Sequence, residues 1–218
     1  MKPLSNPSSI REKSQPRGER WKLQTRSRLL EAALQLMAEK GLDGVAINEI
    51  TEAADVGFGS FYNHFKSKEA IYAEIVDSLF VDFAVWLDGV STNVADPAEV
   101  IAMAVRHVVL RAQREPVWGR LLIREGLSAA AVERGLGQRL LRDLNTGIKS
   151  GRFSNSDAFM CFIAVSGTVI AAINAAVNGA ALGYSTEDWP QRTAYAVLRT
   201  LGLDRKTAED ISKRPLPQ

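Results

Sequence analysis

Residues 158–186 carry no charged side chain. A run this long has two homes, a lipid bilayer or a helix packed inside a protein. Its composition separates them. Ser166, Thr168, Asn174 and Asn178 interrupt the run, alanine and glycine fill much of the rest, and neither flank is strongly basic. A membrane span would use more Leu, Ile and Phe and would keep basic anchors. The expectation is a helix buried on nearly all sides of a bundle, so the rest of the chain must supply the helices that cover it.

The remaining sequence has that character. Apolar positions Leu23, Leu30, Ala33, Leu34 and Met37 fall at helical spacing, and Gly41 supplies a stop. Short helices are predicted over residues 48–54 and 58–64, joined by a tight turn at Asp55-Val56-Gly57, where Gly57 lets the chain bend. Ser67 caps a long helix running through Ile71, Ile75, Leu79 and Trp86, with Glu69 against its N-terminal dipole. Asp96-Pro97 starts a helix that ends near Arg114. Others are expected over residues 116–126 and 129–149 and from about Ser156, followed by a turn at Tyr184-Ser185. The last substantial helix is predicted over residues 187–201. No stretch alternates with period two and no repeat is evident, so the fold class is all-α.

At 218 residues and 46% hydrophobic composition the chain can bury a sizeable core. Its net charge of +2 is unevenly spread, because residues 1–28 hold eight basic and two acidic side chains and the remainder is mildly acidic. A basic arm on an acidic body points to an anionic partner. Residues 1–19, rich in Ser, Pro and basic side chains, are expected to be a disordered arm. They contain no apolar core of the signal-peptide kind, so a cytoplasmic protein is expected. The single cysteine, Cys161, excludes an internal disulfide framework and reads as a buried core thiol.

The stretch from Val56 to Ala70, VGFGSFYNHFKSKEA, carries the chemistry. Gly57-Phe58-Gly59 supplies two glycines with Tyr62 at the sixth position and no preceding strand, which excludes a dinucleotide loop; a Walker loop's Gly-Lys-Ser/Thr is absent. Catalysis has little to work with. His64 lies beside no nucleophile, no G-x-S-x-G elbow occurs, and two histidines with one cysteine make no Cys/His zinc site. No enzyme and no cofactor are expected. A helix-turn-helix fits better: Ile50, Ala54 and Val56 can lock the crossing, and Phe61 and Phe65, four apart, share a core face. Phe58, Ser60, Tyr62, Asn63 and His64 are left free for a groove or its phosphates, and Tyr62, His64, Lys66 and Lys68 are suitable phosphate ligands.

With Leu30-x-x-Ala33, Gly41, Ile50, Ala53-Ala54 and Val56, the run Gly59-Ser60-Phe61-Tyr62-Asn63-His64-Phe65-Lys66-Ser67-Lys68-Glu69 resembles the DNA-binding domain of the TetR family of transcriptional regulators. The resemblance implies a homodimer on a palindromic operator, most simply a repressor. It implies a DNA-binding domain over residues 20–68 and an effector-binding and dimerisation domain over residues 69–218. It carries phosphate contacts onto Tyr62 and Lys68, a recognition-helix contact onto His64, a groove-facing hydroxyl onto Ser60, and base or phosphate contact onto Asn48. Phe58 occupies a position often held by a polar base reader. Two departures stand out. Ala46 replaces the usual Thr or Ser cap, a task Asn48 could take over; Phe58 either packs on thymine methyls or turns into the core.

In the body, Gly167, Ala171 and Ala175 recur every four residues, and a small-residue spacing continues from Gly179 to Gly183. Such a stripe allows close helix approach, within one subunit or between two. The resemblance favours a dimer interface, with Asn178 and Trp189 beside the stripe. Met103, His107, Trp118, Leu122, Phe159, Phe162 and Asn174 are the candidate lining of a pocket for a small, largely apolar effector. The competing readings are a membrane-tethered helical regulator and an all-helical small-molecule enzyme.

Overall fold

The computed structural model describes residues 17–128, 132–133, 135–154, 156–178 and 187–217. Among these, ten helices and no strand are seen. The predicted turn at Tyr184-Ser185, the start of the helix expected over residues 129–149, and residues 1–16 of the predicted arm lie outside the described residues. Arg17 to Glu19, assigned to that arm from sequence, are already helical.

Helix α1 (Arg17–Lys40) buries Leu29, Ala32, Ala33 and Met37, a single face at helical spacing. It stops where Gly41 adopts a left-handed φ of 77° and its N–H returns to the Met37 carbonyl. Helices α2 (Ile47–Ala53) and α3 (Phe58–Tyr62) are the two short predicted segments. Ile50, Ala54, Phe61 and Phe65 are buried in the core they share with α1, as their spacing demanded. The turn between them is made differently from the expectation. Asp55, not Gly57, takes the left-handed conformation, with φ of 50°, and Arg28 holds it by hydrogen bonds to its carboxylate and its carbonyl at 2.9 Å each. Gly57 sits at an ordinary φ of −66° as the N-terminal flanking residue of α3.

Helix α4 (Lys68–Ser91) opens on the predicted cap, Ser67 Oγ accepting from the Ala70 N–H. At 24 residues it runs about 36 Å, long enough to serve both ends of the molecule. Ile71, Tyr72 and Ile75 are buried near its start, and Phe80, Phe83 and Leu87 further along. Helix α5 (Pro97–Arg114) starts at the Asp96 cap and lies at the centre of the body, against α4, α6 (Pro116–Glu125), α7 (Gly135–Lys149), α8 (Ala158–Asn178) and α9 (Trp189–Thr200).

The chain then forms a helix that periodicity did not reveal, α10 (Arg205–Lys213), capped by Asp204 on the Thr207 N–H and packed on α5 and α9. Its buried residues are only Ala208, Ile211 and Ser212, so its apolar signal is thin.

The uncharged helix α8 departs from its expected burial. Cys161, Phe162, Val165, Ser166, Val169 and Ile173 face inward, whereas Phe159, Met160, Ile163, Ala171 and Asn174 are exposed. Only six of the twenty residues of Ala158–Val177 are buried, although the stretch is long and apolar enough to cross a membrane. One side of the most apolar helix in the chain is therefore left open.

Candidate nucleic-acid interface and effector cavity

The entry to α2 is built without a side-chain cap. Ala46 holds the extended N-cap geometry, φ −91° and ψ 151°, and has no oxygen to offer. Only the reciprocal half of a capping box exists, the Ala46 N–H donating to Glu49 Oε2 at 2.9 Å. That bond, followed by one from Lys40, holds the Glu49 carboxyl below its usual range. Asn48 does not take over as cap; it lies in the first turn with its side chain exposed.

Helix α3 exposes Phe58 (51%) and Tyr62 (53%) on its outer side, their rings meeting edge to face at 5.7 Å. Phe58 thus points outward, and the inward alternative is closed. Asn63 and Lys66 are exposed beside them, and Ser60 and His64 are half-buried. Gly59 has open space where a side chain would stand, so nothing inside the subunit requires a glycine there. Burial, then the charges of Lys22 and Arg26, lower the His64 pKa, so its imidazole is neutral at pH 7 and offers a hydrogen bond rather than a charge.

Lys68, an expected phosphate ligand, has partners within the subunit. Its ammonium donates to the Leu42 carbonyl at 3.0 Å and the Val45 carbonyl at 3.4 Å, which braces the turn between α1 and α2.

Between α4, α5, α6, α7 and α8 lies an apolar cavity of about 90 Å³. Leu87, Ile101, Val105, Val108, Leu122 and Phe162 are among its walls, so two of the expected lining residues are in place. Five are elsewhere. Trp118 is buried against the rings of Phe80 and Phe83, with the Arg111 guanidinium 4.8 Å from its own ring. His107 meets Trp86 edge to face at 4.8 Å in a separate surface crevice, and burial keeps it neutral. Met103 turns toward the crevice beside Ile211 and Arg214. Phe159 and Asn174 lie on the open side of α8.

Two polar side chains reach the cavity that sequence reasoning missed, Arg139 and Ser166. Arg139 is 5% exposed; its Nε donates to Asp88 at 2.9 Å and Nη2 to the Ser91 hydroxyl at 3.2 Å. Its Nη1 lies 2.9 Å from Asp143 Oδ2, a buried oxygen that no donor is aligned on. Arg142 closes the cluster by pairing with both Asp88 and Asp143. That pairing, led by the Arg142 hydrogen bond, pulls the Asp88 pKa down. Two arginines and two aspartates sum to zero charge. The Ser166 hydroxyl donates to the Phe162 carbonyl at 2.6 Å, leaving its lone pairs free. In sequence, Arg139, Arg142 and Asp143 look like a solvated helix face, because Asp88 is remote in the chain.

Helix α6 joins this cavity to the helix-turn-helix. Leu122 and Gly126 line the cavity. Next to them Glu125 accepts a 2.6 Å hydrogen bond from the Tyr72 hydroxyl of α4, and Arg124 lies against Gly41, where a Cβ would meet its Nη1 at 1.7 Å.

The open side of α8 presents Met160, Ile163, Gly167, Ala171 and Asn174 at helical spacing. A Cβ at Gly167 would meet nothing within 4 Å, so its smallness serves no packing inside the subunit. Ala175 is half-buried. Trp189 is occupied within the subunit, its indole donating to the Ala172 carbonyl at 2.7 Å under Arg192. The Asn178 side chain and Gly179 lie outside the described residues.

Comparison with known proteins agrees with this architecture. Residues 29–75 match the model of the bacterial regulatory proteins of the tetR family, and residues 96–214 match the tetracyclin repressor-like C-terminal domain. The solved structure of RolR in complex with resorcinol is 38% identical, covering 92% of this chain and 98% of RolR at a TM-score of 0.69. DhaR, an HTH-type transcriptional repressor of Mycobacterium sp. (strain GP1), is 46% identical over 57 residues, 26% of this chain and 29% of DhaR. The repressor KstR2 of Mycolicibacterium smegmatis is 36% identical over 73 residues, 34% of each protein, so the match spans about a third of either curated relative. FadR of Bacillus subtilis, solved with stearoyl-CoA, shares the fold at a TM-score of 0.67 and 20% identity. An N-terminal helix-turn-helix match and a C-terminal match covering more than half of the sequence place the chain in the TetR family of bacterial DNA-binding transcription regulators.

Proposed function

We propose that the chain is a cytoplasmic repressor, acting as a homodimer on a palindromic operator and released by a small, neutral, hydroxylated aromatic ring. Residues 20–68 form its DNA-reading unit and residues 69–218 its effector and dimer unit. The observation that carries the effector reading is the polar end of the apolar cavity. Arg139 and Ser166 are its polar lining, the guanidinium a donor and the serine hydroxyl an acceptor. A hydroxyl on a flat ring can both accept from the guanidinium and donate to the serine. The cluster's zero net charge favours a neutral ligand over a carboxylate, whose charge would go unbalanced in an apolar site. A volume of about 90 Å³ is on the scale of one ring, not an acyl chain. The resorcinol bound by RolR belongs to this class.

On the DNA side, Tyr62, Asn63, His64 and Lys66 are the phosphate and flanking contacts, and Asn48, Phe58 and Ser60 face the groove. Phe58 has no hydrogen-bonding atom, so it reads thymine by its methyl group. Gly59 permits close approach to the backbone of α3. The open apolar side of α8 is the dimer face, where exposure without an internal reason is explained by a second copy. Release follows from α6. A ring pressing on Leu122 and Gly126 shifts the helix that also holds Tyr72 and abuts Gly41, favouring a dimer with misplaced α3 helices. The ligand can move that equilibrium only by its differential affinity for the two states.

The test is fluorescence anisotropy on an operator selected from random duplexes, with resorcinol, catechol, benzoate and benzene titrated in. Release by a dihydroxybenzene, with benzoate and benzene inert, is expected. Operator binding that no hydroxylated ring disturbs overturns the effector assignment; failure to select any operator overturns the repressor reading.

A further inference from the structure

The first turns of α1 carry no buried residue among those described. Gly18 to Gln24 are all exposed, Trp21 at 68% and Leu23 at 55%, and the first fully buried residue of the helix is Leu29. The eight residues from Arg17 to Gln24 span about 12 Å of helix. Helical turns with no tertiary packing are marginal in water, and an exposed indole gains nothing there.

These turns lead along α1 to Arg26, which adjoins the segment that follows α3. Positive charge from Lys22 and Arg26 reaches His64, just beyond α3, and the Arg26 guanidinium lies 5.0 Å over the Phe65 ring. Arg20 and Lys22 have no carboxylate partner among the described residues, and Glu19 is the one acidic side chain between Arg17 and Arg28. Resting on the DNA-binding reading of α3, we propose that this free end of α1 is a second, sequence-independent DNA contact, lying on the duplex outside the half-site that α3 reads. Arg20 and Lys22 are its phosphate ligands, and Trp21 lies along the backbone between them with its indole N–H available to a phosphate oxygen. Charge and the place of Arg26 beside the segment that follows α3 both select DNA as the occupant. A reach of about 12 Å corresponds to three or four base pairs beyond each half-site.

The experiment uses the full chain and two duplexes, the selected operator trimmed to its two half-sites and the same operator extended by ten base pairs on each side. Affinity is measured against salt for the wild type and for the Arg20→Ala/Lys22→Ala variant. Removing two phosphate ligands from each protomer, at about 0.9 each, lowers the log–log salt slope by between three and four units in a dimer. That reduction is expected on the extended duplex alone. Trp21→Phe should abolish an emission change that the wild type shows on the extended duplex and lacks on the trimmed one. Equal slopes for variant and wild type on the extended duplex overturn the proposal, as does an equal reduction on both. A Trp21 response to anionic lipid vesicles with none to the extended duplex overturns it in favour of a membrane surface. If the wild type binds neither duplex, the DNA reading of α3 fails as well, and circular dichroism of the variant separates either result from misfolding.

Discussion

Replacing Arg139 by Met tests whether the cavity's polar end is a buried, mutually dependent cluster. The guanidinium is 5% exposed and touches Asp88, Ser91 and Asp143, itself 8% exposed. Removing one member of a buried pair commonly costs about 3–5 kcal/mol, because the partner charge stays behind. Arg142 still bridges both aspartates, so the lower end, about 3 kcal/mol, is expected. For a chain of this size that is a fall in Tm of roughly 6–12 °C.

Arg142→Met is the internal control. Its side chain is 54% exposed, so its pairs are worth about 1 kcal/mol or less and roughly 1–4 °C. The assay is far-UV circular dichroism melting at one fixed protein concentration, since a dimer's Tm depends on concentration.

The sign of the pH dependence follows from Asp88, whose pKa is depressed in the fold, first by its hydrogen bond from Arg142. Its contribution is complete above the unfolded carboxyl value of about 3.9 and is lost as pH falls through the lower folded value. The gap between wild type and Arg139→Met should therefore narrow below about pH 4. A variant melting within about 2 °C of wild type at pH 7, or a gap unchanged by acid, would refute the reasoning. Resorcinol at a hundredfold excess over its Kd should add about 2.7 kcal/mol to the wild type and nothing to Arg139→Met.

Three further outcomes can be checked. Ala46→Ser should supply the missing cap on α2 and raise stability by about 1 kcal/mol in chemical denaturation. Lys68→Met should lower Tm and weaken binding to all duplexes without changing the salt slope, because its ammonium braces Leu42 and Val45; a slope reduced by about two units per dimer would return Lys68 to the phosphate contacts. Ile163→Glu places a charge on the open side of α8, and sedimentation should show monomers that no longer bind operator; dimers of wild-type strength would move the interface elsewhere.

The parts of this protein that local chemistry determines were visible in its sequence. Phe61 and Phe65 had to share a face, Ser67 and Asp96 had to cap, and the all-helical class followed from periodicity. The parts that depend on remote partners were not. Asp55 bends the helix-turn-helix because Arg28 holds it, and Arg139 looks solvated until Asp88 is brought beside it. Pocket lining was the weakest reading. Trp118 and Leu122 are equally apolar and four residues apart, yet one fills the core and the other faces the cavity. Helix α10 escaped notice because three buried residues leave little periodic signal, although its Asp204 cap was in plain view.

Cys161 bears on how the release mechanism can be observed. It is the chain's single cysteine, it lies 2% exposed on the inner face of α8, and burial raises its thiol pKa, so it reacts slowly with maleimides and methanethiosulfonates. A cysteine introduced at exposed Asn63 would then take up a spin label selectively in the otherwise native chain. In a homodimer each molecule would carry one label beside each α3. Pulsed electron–electron resonance would read the separation of the two recognition helices as a distance distribution, with and without a phenolic ligand and without DNA.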